Sequence, residues 1–194
     1  MERKIVVGLT GPIASGKDIA SEVLKEKGFS YYSLSRRVRE EAKSRGLEPT
    51  RETLQNVGDS LRAEFEGAVL AERTADIFKI TPNPLILVDS IRNPAEIEYL
   101  RREFNAKIIG ITASVETRFK RSLQRNRQSD PKTFEEFRKA ARRDQGLYQD
   151  KHGQQVNECL TLSDVVIENE GTAEELIEKV NKILRRFANP WFHA

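Results

Sequence analysis

The stretch Gly8–Ser21, "GLTGPIASGKDIAS", decides the fold. From Gly11 to Lys17 it carries G-x-x-x-x-G-K, the frame of a phosphate-binding loop whose next position ordinarily holds Ser or Thr. Here that position is Asp18. The preceding run "KIVVGL" is short, apolar and rich in β-branched residues, which predicts a buried strand. Lys17–Lys27 predicts a helix stopped at Gly28. Strand, loop and helix in that order are the context a genuine phosphate loop needs. Glycines at 11 and 16 let the backbone curl so that N–H groups point at an anion, and the helix start adds its positive dipole end. Lys17 reaches toward β- and γ-phosphates as a mobile point charge. Asp18 offers Mg²⁺ a carboxylate where a hydroxyl is usual, and both are hard oxygen ligands. The alternative is that Asp18 only caps the helix and the metal is held elsewhere.

Outward from the loop, strands and helices alternate. "FSYYS" predicts a second strand, and "RRVREEAKSR" a helix ending at Gly46. A long helix is expected over Glu52–Phe78, bent near Gly58 and Gly67. "PLILVD" is the clearest strand, continuous and apolar with an acid at its carboxyl end. Asn93, Pro94 and Glu96 form a helix start with an N-cap, a first-turn proline and a capping-box acid. "AKIIGITA" predicts a fourth strand, and Ser114 caps a helix running through Arg125. Thr133 and Glu136 open the next helix as a second capping box. "DVVIEN" predicts the fifth strand. Thr172 and Glu175 open a final helix with the stripe Leu176, Ile177, Val180, Leu184 and Phe187. Such alternation implies an α/β fold, a parallel sheet covered on both faces, with ligands at the carboxyl ends of its strands. The tail "NPWFHA" is expected to be loosely tied, with Trp191 and Phe192 packing back on the core or, failing that, docking on a partner.

The 194 residues suffice for one domain with a sizeable core, and the net charge of +3 favours no polyanion overall. Charge is uneven, however: Glu116–Lys151 carries 11 Lys or Arg against six Asp or Glu. That segment suits a small phosphorylated ligand, or is a solvated helix surface. The single cysteine, Cys159, allows no internal disulfide and reads as packing in a reduced, cytoplasmic setting. Two histidines make a zinc site poor chemistry. No signal peptide or membrane span is expected.

Acids and arginines gather at strand ends. Asp89 ends the "PLILVD" strand, where it can orient Mg²⁺ or take a proton from an acceptor. Arg92 reaches the same cleft with a fork that fits phosphate, or pairs locally with Glu96 or Glu98. Arg121 and Arg125 lie four apart on one helix face, and Arg127 follows in a polar break. Such a cluster can clamp phosphates and close over them. Arg118 and Lys120 read as solvated, and Arg39 and Arg62 taken alone as surface arginines.

Together these residues resemble the P-loop nucleotide kinases, the group with adenylate, thymidylate and dephospho-coenzyme A kinases. The resemblance spans nearly the whole chain. It is strongest to an archaeal-type family described as similar to dephospho-coenzyme A kinase, through "VREEAKSRGLEPT", "DSIRNPAEIE", "SDPKTFEEF" and "SDVVIENEGT". "GQQVNECLTLSDVVIENE" is also similar to a kinase-like domain preceding some deoxycytidylate deaminases, although no deaminase zinc motif follows here. Relatives usually carry an acid near position 36, where this chain has Arg36. The loop "SGKD" resembles those of phage deoxynucleoside monophosphate kinases and animal phosphomevalonate kinases, which places Asp18 in a subgroup with intact loops.

The resemblance implies a three-layer α/β/α P-loop NTPase fold with sheet order 2-3-1-4-5 and a helical lid. It implies one kinase domain over residues 1–194, with an acceptor-binding helical region at about 34–80 and a lid at about 121–146. ATP is held by Gly11, Pro12, Ile13, Ala14, Ser15, Gly16, Lys17 and Asp18, with Asn169 and Gly171 near the base. Asp18 and Asp89 organise Mg²⁺. Ser33, Arg39, Arg62 and Arg92 hold a small phosphorylated acceptor, with a nucleoside monophosphate first. Lys17, Asp89, Arg121, Arg125 and Arg127 act at the transferring group. The alternatives are dephospho-coenzyme A as acceptor, and a nucleotide-sensing ATPase module without transfer. A nucleic-acid partner ranks lowest, because aromatic residues for base stacking are scarce in the basic segment. A monomer or homodimer is expected.

Overall fold

Val6 and Val7 point to opposite faces of one strand, and two separate cores follow from that alternation. The computed structural model describes residues 4–125 and 130–191. Its strands are β1 (Ile5–Thr10), β2 (Ser30–Ser33), β3 (Leu85–Ile91), β4 (Lys107–Thr112) and β5 (Val165–Glu168), all parallel, in the order β2-β3-β1-β4-β5. This is the order 2-3-1-4-5. The central strands are apolar without a break because both faces are covered.

Helices α1 (Lys17–Glu26) and α9 (Ala173–Trp191) cover one face. Over that face pack Val7, Leu9, Leu87, Ile109 and Ile111. Helices α2 (Leu34–Ser44), α3 (Arg51–Phe65), α4 (Val69–Lys79), α5 (Pro94–Phe104) and the short α8 (Val156–Thr161) contribute to the other, over Val6, Ile86, Val88 and Ile108. Helices α6 (Val115–Arg125) and α7 (Phe134–Asp144) complete the set. A third apolar cluster joins Ile13 and Ala14 of the loop to Phe137 and Ala141 of α7. Burial of Ile13 and of Phe137 contributes about 1.5–3 kcal/mol each, so the loop is seated on a packed floor.

Both predicted capping boxes form, Asn93 with Glu96 and Thr133 with Glu136. The long helix expected over Glu52–Phe78 is instead two, α3 and α4. Glu66 adopts φ 75°, which turns the chain. Gly67 lies so close to α5 that a Cβ there would stand 2.9 Å from the Ala95 Cβ. Gly58, by contrast, sits inside an unbroken helix. On α9 the apolar stripe is shifted: Ile183 is buried and Ile177 is 38% exposed. That helix runs on through Asn189 and Pro190, where a loose tail was expected. Helix α8 was not foreseen; it buries Cys159 in the core, as the packing role required. No helix among the described residues is long and apolar enough to cross a membrane. The expected packing of Phe192, and the role of Arg127, lie outside the described residues, as does the side chain of Trp191.

Candidate active site

The loop between β1 and α1 has the backbone its glycines predict. Gly11 has φ 141° and Gly16 φ 108°. A Cβ on Gly11 would stand 2.0 Å from the Ile111 carbonyl oxygen, and one on Gly16 2.3 Å from Asn169 Nδ2, so only glycine fits either place. Lys17 is buried and its Nζ donates to the carbonyls of Gly11 (2.6 Å) and Pro12 (2.9 Å). Burial and then the nearby Arg92 lower its pKa to about 8, against the opposing pull of Asp89, Asp144 and Asp18. A polyphosphate would favour the charged form. Affinity for ADP is therefore expected to fall as pH rises through about 8, with proton uptake on binding. Calorimetry in buffers of different ionisation heat measures this, and an affinity flat between about pH 7 and 9 would contradict it.

Distant elements fix the loop. Asn169 Nδ2 donates to the Ser15 carbonyl at 2.8 Å. Arg118 donates to the carbonyls of Ala113 (3.0 Å) and Ile13 (3.4 Å) and stacks over Phe137. It is 2% exposed, so the expectation of a solvated residue is corrected: loop carbonyls and an aromatic face take up its charge. Asp144, at the end of α7, accepts from the Ile13 amide at 3.0 Å. The same carboxylate pairs with Arg92 and, at 3.4 Å, with Arg51. Asp144 is fully buried. Burial alone would raise its pKa, but Arg92, Arg51, Lys17 and the Ile13 amide outweigh it and hold the carboxyl below its usual range.

A cleft of about 400 Å³ opens beside the loop at the carboxyl ends of the strands. Lys17, Asp18, Asp89, Arg92 and Arg125 all line it. Asp89 Oδ2 accepts from Tyr31 Oη (2.9 Å) and Ser90 Oγ (3.1 Å), while its buried Oδ1 has no partner among the described residues. Burial, then the Asp89 charge, keeps the Tyr31 phenol protonated far above its usual range. Asp18 is exposed at the start of α1 and lies 3.7 Å from Arg125, which also grips Asp130 at 2.6 Å. No group of three candidate ligand side chains exists among the described residues. Mg²⁺ at a phosphate site takes one or two carboxylates and keeps water and phosphate oxygens as its other ligands. The unpartnered Asp89 oxygen and the nearby Asp18 fit that donor set.

The acceptor-side residues are all on the cleft. Ser33 ends β2, its Oγ 3.0 Å from that of Ser35, and Arg39 Nη1 lies 3.3 Å from the same Ser35 oxygen. Arg62 is corrected from a surface residue to a buried one: it is 2% exposed and bonded to the fully buried Glu96 at 2.9 Å. Arg92 takes Asp144 as its ionic partner, not Glu96 or Glu98; Glu96 accepts only its backbone amide. Arg121 does not line the cleft. Its guanidinium forks onto the carbonyls of Asn169 (2.8 Å) and Gly171 (2.9 Å), so it braces the β5–α9 turn while Arg125, one turn on, faces the site.

Sequence reasoning missed Tyr31, Arg51, Gln55, Asp144 and Gln154. Arg51, Gln55 and Arg62 share one face of α3 at spacings of four and seven, a polar stripe that a helical projection could have shown. Nothing local marks Asp144 or Gln154.

A family model described as an AAA domain matches residues 7–145. A UPF0200 protein of Hyperthermus butylicus is 32% identical over 183 residues, 94% of this chain and 95% of that one. A UPF0200 protein of Methanoculleus marisnigri is 31% identical, over 93% and 96%. Among solved structures, TT1252 from Thermus thermophilus has a TM-score of 0.61 at 20% identity, covering 95% of this chain and 98% of that one. A shikimate kinase from Bacteroides thetaiotaomicron has a TM-score of 0.54 at 12% identity, covering 93% and 98%. The structural likenesses concern the fold, which is that of P-loop kinases. Identity sustained over nearly the full length goes further: the chain belongs to the UPF0200 family and to the AAA-domain proteins that the model over residues 7–145 describes.

Proposed function

We propose that this protein is an ATP- and Mg²⁺-dependent kinase that passes the γ-phosphoryl group to a small phosphorylated acceptor, first among them a nucleoside monophosphate. One observation carries the proposal: Lys17, the unpartnered carboxylate oxygen of Asp89 and the arginines 39, 62 and 92 open on one cleft. A loop for the donor, acids for a metal and arginines for a second phosphate are what phosphoryl transfer requires. The loop and Lys17 hold the donor phosphates, with Asn169 keeping the loop in shape. Asp18 and Asp89 would hold Mg²⁺, which would supply positive charge to offset that of the phosphates. Alternatively, Asp89 would receive a proton from the acceptor instead of orienting the metal. Ser33, Arg39, Arg62 and Arg92 orient the acceptor, and Arg125 offsets charge on the transferring group. Residues about 34–80 make the acceptor side and about 121–146 the lid side of a single kinase domain. Positioning and charge do the work.

A second reading has its own support. A groove of about 1450 Å³ between residues 48–55 and 130–149 shares Arg51, Gln55 and Asp130 with the cleft. It gives room for an acceptor with a long arm, as in dephospho-coenzyme A. Coupled turnover with nucleoside monophosphates, dephospho-coenzyme A and phosphomevalonate separates the two, and no turnover with any of them overturns the kinase proposal. Within it, Asp18→Ala is expected to lose Mg²⁺-dependent activity by about 10²-fold or more, while Asp18→Ser keeps a good part. Full activity of Asp18→Ala would reduce the carboxylate to a helix cap.

A further inference from the structure

Two buried amides that touch each other line the cleft. Gln55, on α3, is 3% exposed, and Gln154, ahead of α8, is 6% exposed. Gln55 Nε2 donates to Gln154 Oε1 at 3.3 Å and faces the Ala140 carbonyl at 3.5 Å. A carbonyl only accepts, so that contact fixes which end of the Gln55 amide is nitrogen. The pair then leaves one acceptor, Gln55 Oε1, and one donor group, Gln154 Nε2, with no partner among the described residues. Both side chains line the cleft, so this donor and acceptor stand side by side at its edge.

The setting is rigid and partly apolar. Gln154 is strapped to the turn that carries Arg92: Asn93 Nδ2 donates to the Gly153 carbonyl (3.0 Å) and the Gln155 amide to the Arg92 carbonyl (2.7 Å). Val38, Leu54 and Gly58 also line the cleft. Gly58 falls between Gln55 and Arg62 on one face of α3, where a side chain would otherwise intrude. A methyl there would meet Arg62 Nη1 at 3.4 Å and Val38 Cγ2 at 3.6 Å, ordinary contacts that the fold accommodates. The glycine is therefore not demanded by packing, although it weakens the helix.

We propose that Gln55 and Gln154 read the edge of a flat heterocycle on the acceptor, and that Gly58 keeps open the slot in which the ring lies. An adjacent donor and acceptor on an apolar-walled slot match the hydrogen-bonding edge of a nucleobase. They do not match a purely aliphatic acceptor, which would leave both amides unsatisfied. The proposal rests on the kinase reading for the role of the arginines and names the chemistry at their far side.

The test compares AMP, CMP, GMP and UMP with ribose 5-phosphate, which has the same phosphate without a base. Thermal-shift titration and coupled turnover are both recorded. At least one base-bearing acceptor is expected to exceed ribose 5-phosphate by about tenfold or more in kcat/KM or affinity. Gln154→Met should raise its KM by about tenfold with a much smaller change in kcat. Gly58→Ala should raise KM and yet raise Tm, because alanine is the better helix residue. A merely structural glutamine or glycine would not produce that split. The proposal is overturned if ribose 5-phosphate matches the nucleotides, if no nucleotide binds, or if both variants keep KM within about twofold. Base-dependent binding without transfer would leave it standing and remove the kinase reading. Transfer without base preference would do the reverse.

Discussion

Asp144→Ala is expected to destabilise the protein by about 3–5 kcal/mol, the usual cost of removing one partner from a buried ion pair. That is a large share of a total near 5–15 kcal/mol. The carboxylate is fully buried and joins three elements, the loop through the Ile13 amide, the β3–α5 turn through Arg92 and the start of α3 through Arg51. Without it two guanidiniums face each other in a desolvated place, where burial and Arg92 already lower the pKa of Arg51 to about 10. Asp144→Asn keeps a hydrogen-bond acceptor for Ile13 and loses only the charge, so its cost should fall between alanine and wild type. Urea melts of both variants measure this, and a loss under about 1 kcal/mol for alanine would refute the hub.

The sign of the pH effect follows. The folded pKa of Asp144 lies below its unfolded value. Its contribution is therefore complete above the unfolded value of about 3.9 and is lost as pH falls through the lower folded one. Wild type should lose stability more steeply than Asp144→Asn on that acid limb.

Glu96→Ala is expected to cost about 3–5 kcal/mol on the other side of the same β3–α5 turn, plus about 1 kcal/mol for the cap. Glu96 is fully buried and holds the 2% exposed Arg62 at 2.9 Å. Its second oxygen accepts from the amides of Arg92 (2.8 Å) and Asn93 (3.1 Å), completing the capping box of α5. Replacing the pair together, as Arg62→Met with Glu96→Leu, removes both charges and should restore much of the stability. Acceptor binding should not return, because Arg62 also lines the cleft. A loss in the double variant equal to the summed losses of Arg62→Met and Glu96→Leu would show that the charges are not coupled.

The parallel sheet was legible because each strand is a short apolar run ending at a turn or an acid, as at Thr10 and Asp89. The loop was legible because only glycine fits at 11 and 16. A bend near Gly67 was legible too, but the full break at Glu66 was not, since it depends on how closely α5 approaches Gly67. Arg118 misled for a similar reason: on a strongly basic helix it looks solvated, and only the packing of Phe137 and the loop carbonyls explains its burial. Asp144 and Gln154 act through groups far from them in the chain, and no local pattern encodes that.

Three side chains that shape the loop come from 105, 131 and 154 residues away: Arg118, Asp144 and Asn169. Contacts of such separation form late, after long stretches of chain have been ordered. Asn169 follows β5, the edge strand that is last in the chain. During synthesis from the amino terminus, the first 40 residues contain the whole motif and none of these braces. The loop therefore gains its last brace only when the final strand arrives, and a growing chain keeps it incompletely braced until nearly all of it has been made.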